Sequence, residues 1–199
     1  MILSAAEVDR AAAVVARGGV LAIPTDTVYG LACHPDDAAA AERIFRMKRR
    51  PPGLELSLLS GSAAEVGRFG VVEGVAARLA VAFWPGGLSL IVPVALPRHP
   101  AIPRQGETIM VRVPDHPVLH ELLRRTGPVA STSANRHGEP ALSSAEEVEA
   151  ELGMEVDAVL DGGPASGTAS TIIDCSVTPP RVLRAGPLGE AELRPYLEG

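Results

Sequence analysis

Residues 23–31 read IPTDTVYGL, and the reading of this stretch decides the fold. The run before it, Val20-Leu21-Ala22-Ile23, is wholly apolar, as expected of a short buried strand. Pro24 stops that strand because proline has no amide to give to a ladder. Two threonine hydroxyls, a carboxylate, a phenol and a glycine follow at Thr25, Asp26, Thr27, Tyr29 and Gly30. In open α/β sheets ligands sit in the crevice beyond the carboxyl ends of strands, which makes this polar cluster a candidate site. Threonine and aspartate side chains also bond local amides in turns, so a purely structural turn is the competing reading.

Outward from that stretch, helical and extended patterns alternate. Ser4 with Glu7 forms a capping box that opens an alanine-rich helix to about Arg17. Asp36 or Asp37 caps a second helix, DAAAAERIFRMK, with Ile44, Phe45 and Met47 set apart from its basic positions. Leu56 to Leu59, Leu88 to Val94, Thr108 to Val113, Val156 to Leu160 and Arg181 to Arg184 read as strands, and Val129-Ala130 leads into another. Asp115 is placed to cap a helix from Pro117 to Arg125, with proline at the first position where its missing amide costs nothing. No repeat or linker divides the chain. The expectation is a single domain over residues 1–199, α/β in class, with a mixed sheet flanked by helices.

At 199 residues and a formal charge of −6, the chain has enough length for one aliphatic core and lacks the broad basic face that grips a nucleic-acid backbone. No apolar run approaches the roughly 18 residues that span a bilayer, so no membrane role and a cytoplasmic location are expected. Cys33 and Cys175 make neither a C-x-x-C pair nor a metal spacing, and reduced thiols are the default. Eighteen residues are lysine or arginine, and Lys48 is the one lysine. A compact ammonium and a planar fork are not interchangeable, so Lys48 is marked for a role that arginine does not fill.

Five cations lie between Arg43 and Arg50. They suit a polyphosphate clamp, with Lys48 and Arg50 reaching from the helix end, or a solvated helix C-terminus where the dipole favours cations. Arg112 interrupts the apolar strand VRVP, where a charge needs a partner or a ligand. Ser131, Ser133 and Asn135 close one strand, and Ser170-Thr171 follow a glycine-rich loop; each group suits either a turn or a phosphate or sugar. His116 and His120 are four apart but lack an acidic third ligand, and read as surface histidines. Neither the phosphate-binding G-x-x-x-x-G-K-[ST] nor the dinucleotide G-x-G-x-x-G is present.

PTDTVYGL, Lys48-Arg49-Arg50-Pro51, FWPG at Phe83 to Gly86, VRVPDHP at Val111 to Pro117, SAN at Ser133 to Asn135, STIID at Ser170 to Asp174 and LR-x-G at Leu183 to Gly186 occur in this order. The series resembles the YrdC/Sua5 family, the threonylcarbamoyl-AMP synthases, along nearly the whole chain. The resemblance implies a YrdC-like twisted sheet around a large, basic, concave cavity. It implies a nucleotidyltransferase that converts L-threonine, bicarbonate and ATP, with Mg²⁺ or another divalent cation, to threonylcarbamoyl-AMP and pyrophosphate. That product serves N6-threonylcarbamoyladenosine formation in tRNA, through transferase proteins that take up the intermediate.

Carried over by position, Thr27, Tyr29, Arg112 and Ser170 hold threonine. Lys48, Arg50, Thr108, Ser131, Ser133, Asn135 and Arg184 contact ATP, with Lys48 and Arg50 catalytic; no metal ligand is assigned. The chain departs from the family at Leu54-Glu55-Leu56, where many members have Lys-Pro-Leu, at Leu59, where some have histidine, and at Ala141, where many have serine. Two other readings stay open. One is a factor binding tRNA or double-stranded RNA without forming an adenylate, and the other is a related carbamoyl-adenylate enzyme using a different acceptor.

Overall fold

The computed structural model describes residues 1–49, 56–95 and 108–197. Arg50, Leu54, Glu55 and the Pro-rich loop of residues 97–106 lie outside the described residues. In chain order the elements are β1 (Ile2–Leu3), α1 (Val8–Ala16), β2 (Leu21–Ile23), β3 (Gly30–Cys33), α2 (Ala38–Met47), β4 (Ser57–Leu59), α3 (Ala63–Val66), α4 (Gly74–Phe83), β5 (Leu88–Pro93), β6 (Thr108–Arg112), α5 (Pro117–Thr126), β7 (Val129–Ser133), α6 (Ala145–Leu152), β8 (Ala158–Leu160), β9 (Thr171–Asp174), β10 (Arg181–Arg184) and α7 (Glu190–Leu197). The strands form one mixed sheet in the order β1-β8-β2-β3-β7-β4-β6-β5-β9-β10.

Residues 24–29 are the turn of a hairpin. β2 and β3 pair antiparallel, with Ile23 opposite Gly30, and β3 continues onto β7 with Gly30 opposite Ser133. Gly30 and Leu31 therefore begin a second strand, and the polar cluster between Pro24 and Tyr29 forms the turn between two interior strands. β4 pairs antiparallel with β7 and parallel with β6, which sets Ser57 opposite Ser131 and Leu59 beside Arg112.

Period-two alternation assigns the central strands to two cores. Val20 and Ala22 belong to one cluster with Tyr29, Leu31, Ile44, Leu58, Leu79, Leu90 and Ile173. Leu21 and Ile23 belong to the other, with Val14, Val15, Leu119, Leu122 and Leu160. Helices α2, α4, α6 and α7 supply the first cluster, and α1 and α5 the second. Both faces of the sheet are covered, which is why its central strands read as unbroken apolar runs.

His116, expected at the surface, is buried and stands at the N-cap of α5, its Nδ1 accepting from the Leu119 amide at 3.4 Å. Pro117 occupies the first helical position, so the cap falls on His116 rather than on Asp115. Burial pushes the imidazole below its ordinary value, against the opposing pull of Asp26, the Gly162 backbone and Asp115, while the neighbouring His120 lowers it further. A lowered native pKa means that the unfolded chain binds more protons in acid. The contribution is then complete above the ordinary value of about 6.5 and is lost as pH falls through the native value. Melting temperature should fall from about pH 7 to about pH 5, and His116→Asn, which keeps a capping acceptor without titrating, should flatten that slope. An equally steep slope in the variant would place the acid sensitivity elsewhere.

Candidate active site

The hairpin turn orders itself first. Thr25 Oγ1 accepts from the amides of Thr27 and Val28, both at 3.1 Å, and lies 2.6 Å from the Val28 carbonyl, to which it donates. This is the structural turn anticipated for the stretch, and it coexists with a site. Thr27 Oγ1 receives Arg112 Nη1 at 2.7 Å, Asp26 Oδ1 receives Arg112 Nη2 at 2.6 Å, and the Gly86 carbonyl receives Arg112 Nε at 2.9 Å. Asp26 also accepts from the Asp115 amide at 3.1 Å. Arg112 is only 5% exposed. Its burial lowers the guanidinium pKa, the Asp26 carboxylate opposes that shift, and the like charge of Arg184 adds to it.

Arg112 lines a cavity of about 190 Å³ with Arg184 and eight serines and threonines: Thr25, Thr27, Ser57, Ser89, Ser131, Thr132, Ser133 and Ser170. Val28, Leu59, Met110 and Ile172 add apolar wall. Among the described lining residues there is no carboxylate, histidine or cysteine. Such a lining offers positive charge and many hydroxyls, and it suits binding and orienting anions.

Ser170 Oγ accepts from Arg184 Nη2 at 3.0 Å and shares a hydrogen bond with Ser89 Oγ at 2.8 Å; its carbonyl accepts Arg184 Nε at 2.8 Å. Thr171, its neighbour, turns away and is fully buried, accepting from the amides of Gly186 and Leu188. The glycine of LR-x-G has a steric cause, since a Cβ at Gly186 would meet the Ala169 carbonyl and the Thr171 amide at 2.4 Å.

The expected residues do not all face the cavity in the same way. Thr27, Arg112, Ser131, Ser133, Ser170 and Arg184 line it. Tyr29 lines it too, but its hydroxyl is committed elsewhere, donating to the Gly163 carbonyl at 2.9 Å; burial raises this phenol to about 12. Thr108 stands at the start of β6, paired with Pro93, and is not in the lining. Asn135 borders an adjoining hollow with Arg49 and Arg136. Lys48 does not end in solvent, as a solvated helix terminus requires; it is 3% exposed and turned onto Ser133 and Asn135. The basic run is likewise divided, for Arg43 pairs with Asp157 at 2.9 Å.

Leu59 lines the cavity. Ser89 and the Asp26–Arg112 pair were not anticipated. The signal for Ser89 was present, a hydroxyl interrupting the apolar strand LSLIV, as Arg112 interrupts VRVP. Cys33 and Cys175 are free thiols.

A family profile described as "Telomere recombination", covering Sua5, YciO and YrdC, matches residues 13–186. The chain belongs to the Sua5/YciO/YrdC family. A threonylcarbamoyl-AMP synthase of Bacillus subtilis (strain 168) is 34% identical over 193 residues, 94% of this chain and 55% of its own. The structure of Pyrococcus abyssi Sua5 complexed with L-threonine superposes with a TM-score of 0.91 at 32% identity, covering 99% of this chain and 61% of that one. Escherichia coli YciO superposes with a TM-score of 0.88 at 30% identity, covering 97% of this chain and 98% of its own. The chain thus spans little more than half of the first two family members and nearly all of YciO.

The Asp26–Arg112 pair sets a clear expectation for stability. Removing one partner of a buried pair leaves an uncompensated charge and costs about 3–5 kcal/mol; because Asp26 keeps 19% of its side chain exposed, the lower end applies. Asp26→Ala should lower unfolding stability by about 3 kcal/mol in chemical denaturation, and a loss below about 1 kcal/mol would mean that solvent already screens the pair.

Proposed function

We infer that this chain is a threonylcarbamoyl-AMP synthase working as a single domain, forming the adenylate that supplies threonylcarbamoyl-adenosine in tRNA. The observation that carries the reading is Arg112, buried and aimed by Asp26 and Thr27 in a hydroxyl-lined cavity that a second arginine, Arg184, also lines. Family membership and the relatives' names support the same assignment. In this reading Thr27, Arg112 and Ser170 bind the carboxylate and hydroxyl of L-threonine, with Tyr29 as a wall. Arg50, Thr108, Ser131, Ser133, Asn135 and Arg184 serve ATP, and Lys48 acts on the same side.

The chemistry asks little of side-chain nucleophiles. Threonine and bicarbonate give a carbamate and water; a carbamate oxygen bonds to the α-phosphorus of ATP while the bond to pyrophosphate breaks. Two anions must be brought together in line, so catalysis comes from positioning and charge neutralisation. Among the described residues no group of three or more potential metal ligands is present. Magnesium commonly binds through substrate phosphates with few protein ligands, so a divalent cation in this proposal enters with the triphosphate. Transferase partners and tRNA would act downstream in the cytoplasm. Among the described residues no helix is long and apolar enough to cross a membrane.

Pure protein should release pyrophosphate only when ATP, bicarbonate and L-threonine are all present. Release without threonine dependence would point to another acceptor; none at all, with steeply salt-dependent RNA binding, would favour the RNA-binding reading. Charge-assisted hydrogen bonds are worth about 1.5–3 kcal/mol, so Arg112→Lys, which loses the fork to Asp26 and Thr27, should raise threonine KM roughly tenfold to a hundredfold. An unchanged threonine KM would remove Arg112 from the amino-acid site.

A further inference from the structure

The ammonium of Lys48 lies 2.5 Å from the Ser133 carbonyl, 2.6 Å from the Asn135 carbonyl and 3.1 Å from Asn135 Oδ1, with Ser133 Oγ at 3.5 Å. Three close oxygens from one three-residue turn converge on a single nitrogen. An ammonium directs three N–H bonds from one atom, whereas a guanidinium spreads its donors over a planar fork. The geometry supplies a physical reason for lysine at this position in a chain otherwise using arginine.

The surrounding backbone reinforces the same junction. The His137 amide donates to the Lys48 carbonyl at 2.8 Å, and Arg136 Nη1 donates to the Met47 carbonyl at 2.6 Å. Ser133 Oγ donates to Asn135 Oδ1 at 2.5 Å. The end of α2 and the turn after β7 are thus tied in both directions, and Ser133 is the member of that turn that lines the cavity.

We propose that Lys48 is a positioning residue, a tethered cation seated among the oxygens of the 133–135 turn that sets Ser133 and Asn135 for the nucleotide and does not itself grip the phosphates. The proposal rests on the adenylate-forming reading for its kinetic consequence, but the seat is a property of the fold. Carbonyl oxygens grouped in this way are also the ligands that replace the hydration shell of a potassium ion. Removing the lysine side chain therefore vacates a place that a free ammonium or potassium ion can take.

The test uses the full chain with Lys48→Ala, Lys48→Met and Lys48→Arg. Losing a residue that orients direct ligands commonly costs 10–100-fold; all three variants should lose turnover or raise ATP KM in that range while threonine KM stays near wild type. Ammonium chloride, compared with tetramethylammonium chloride at equal ionic strength, should raise both melting temperature and turnover of Lys48→Ala, and should do neither for Lys48→Met, whose stem fills the approach. Wild-type turnover in Lys48→Arg would overturn the proposal, as would a Lys48→Ala protein that responds to the two salts alike. If Lys48→Ala does not fold, Lys48→Met decides: a rise in ATP KM with threonine KM spared supports the proposal, and equal rises in both overturn it. If the wild type releases no pyrophosphate, the functional reading fails, and the ammonium-specific melting shift of Lys48→Ala still decides the seat.

Discussion

The structure depends on one buried guanidinium. Burying Arg112 at the end of β6 carries a desolvation cost that only close partners offset. Those partners come from separate parts of the chain: Asp26 and Thr27 from the β2–β3 turn, and the carbonyl of Gly86 from the segment after α4. The ion pair therefore fastens the turn onto β6, and Asp26 extends the tie to the amide of Asp115, just ahead of α5. Fixing the guanidinium by three contacts also fixes where its charge points. Preorganised charge of this kind is what an anion-handling site requires, because no reorganisation remains to be done when the ligand arrives.

The sheet's path makes the convergence possible. Gly30 opposes Ser133 across β3 and β7, and a Cβ at Gly30 would meet Ser131 Oγ at 2.8 Å, so the glycine after Tyr29 lets the hydroxyl row of β7 approach the hairpin. Ser170 arrives from the far side of the sheet through β9, which pairs with β5, and Arg184 of β10 holds both its carbonyl and its hydroxyl. Arginine is thus used twice to set serine and threonine hydroxyls, once at each side of the cavity. A chain of formal charge −6 thus sets two arginines among the hydroxyls of one cavity.

Most of the fold was legible because its signals are local. Alternation, proline stops and serine or aspartate caps located α1, α2, α5 and the strands β2, β4, β5, β6, β8 and β10 to within a few residues, and the burial of β2 followed from its unbroken apolar run. Individual ligands were legible where a polar residue interrupts an apolar strand, as Arg112 does. What the sequence did not disclose are relations between distant residues. Asp26 and Arg112 are far apart in the chain, and no local pattern states that they meet. His116 read as a surface residue because its burial is created by the 24–27 turn and Gly162, whose Cβ would stand 2.5 Å from the imidazole. Lys48 was conspicuous by composition, but the oxygens of the 133–135 turn around its ammonium are set by the tertiary approach of α2 to the end of β7.

The central claim is that Arg112, held by Asp26 and Thr27, is the seat for the carboxylate of an amino acid. Calorimetric titration of the protein with L-threonine and with its methyl ester, which lacks the negative charge, tests it most directly. The account predicts saturable binding of the acid and little or none of the ester, with the difference abolished in Arg112→Lys. Equal binding of acid and ester by the wild-type protein would contradict it.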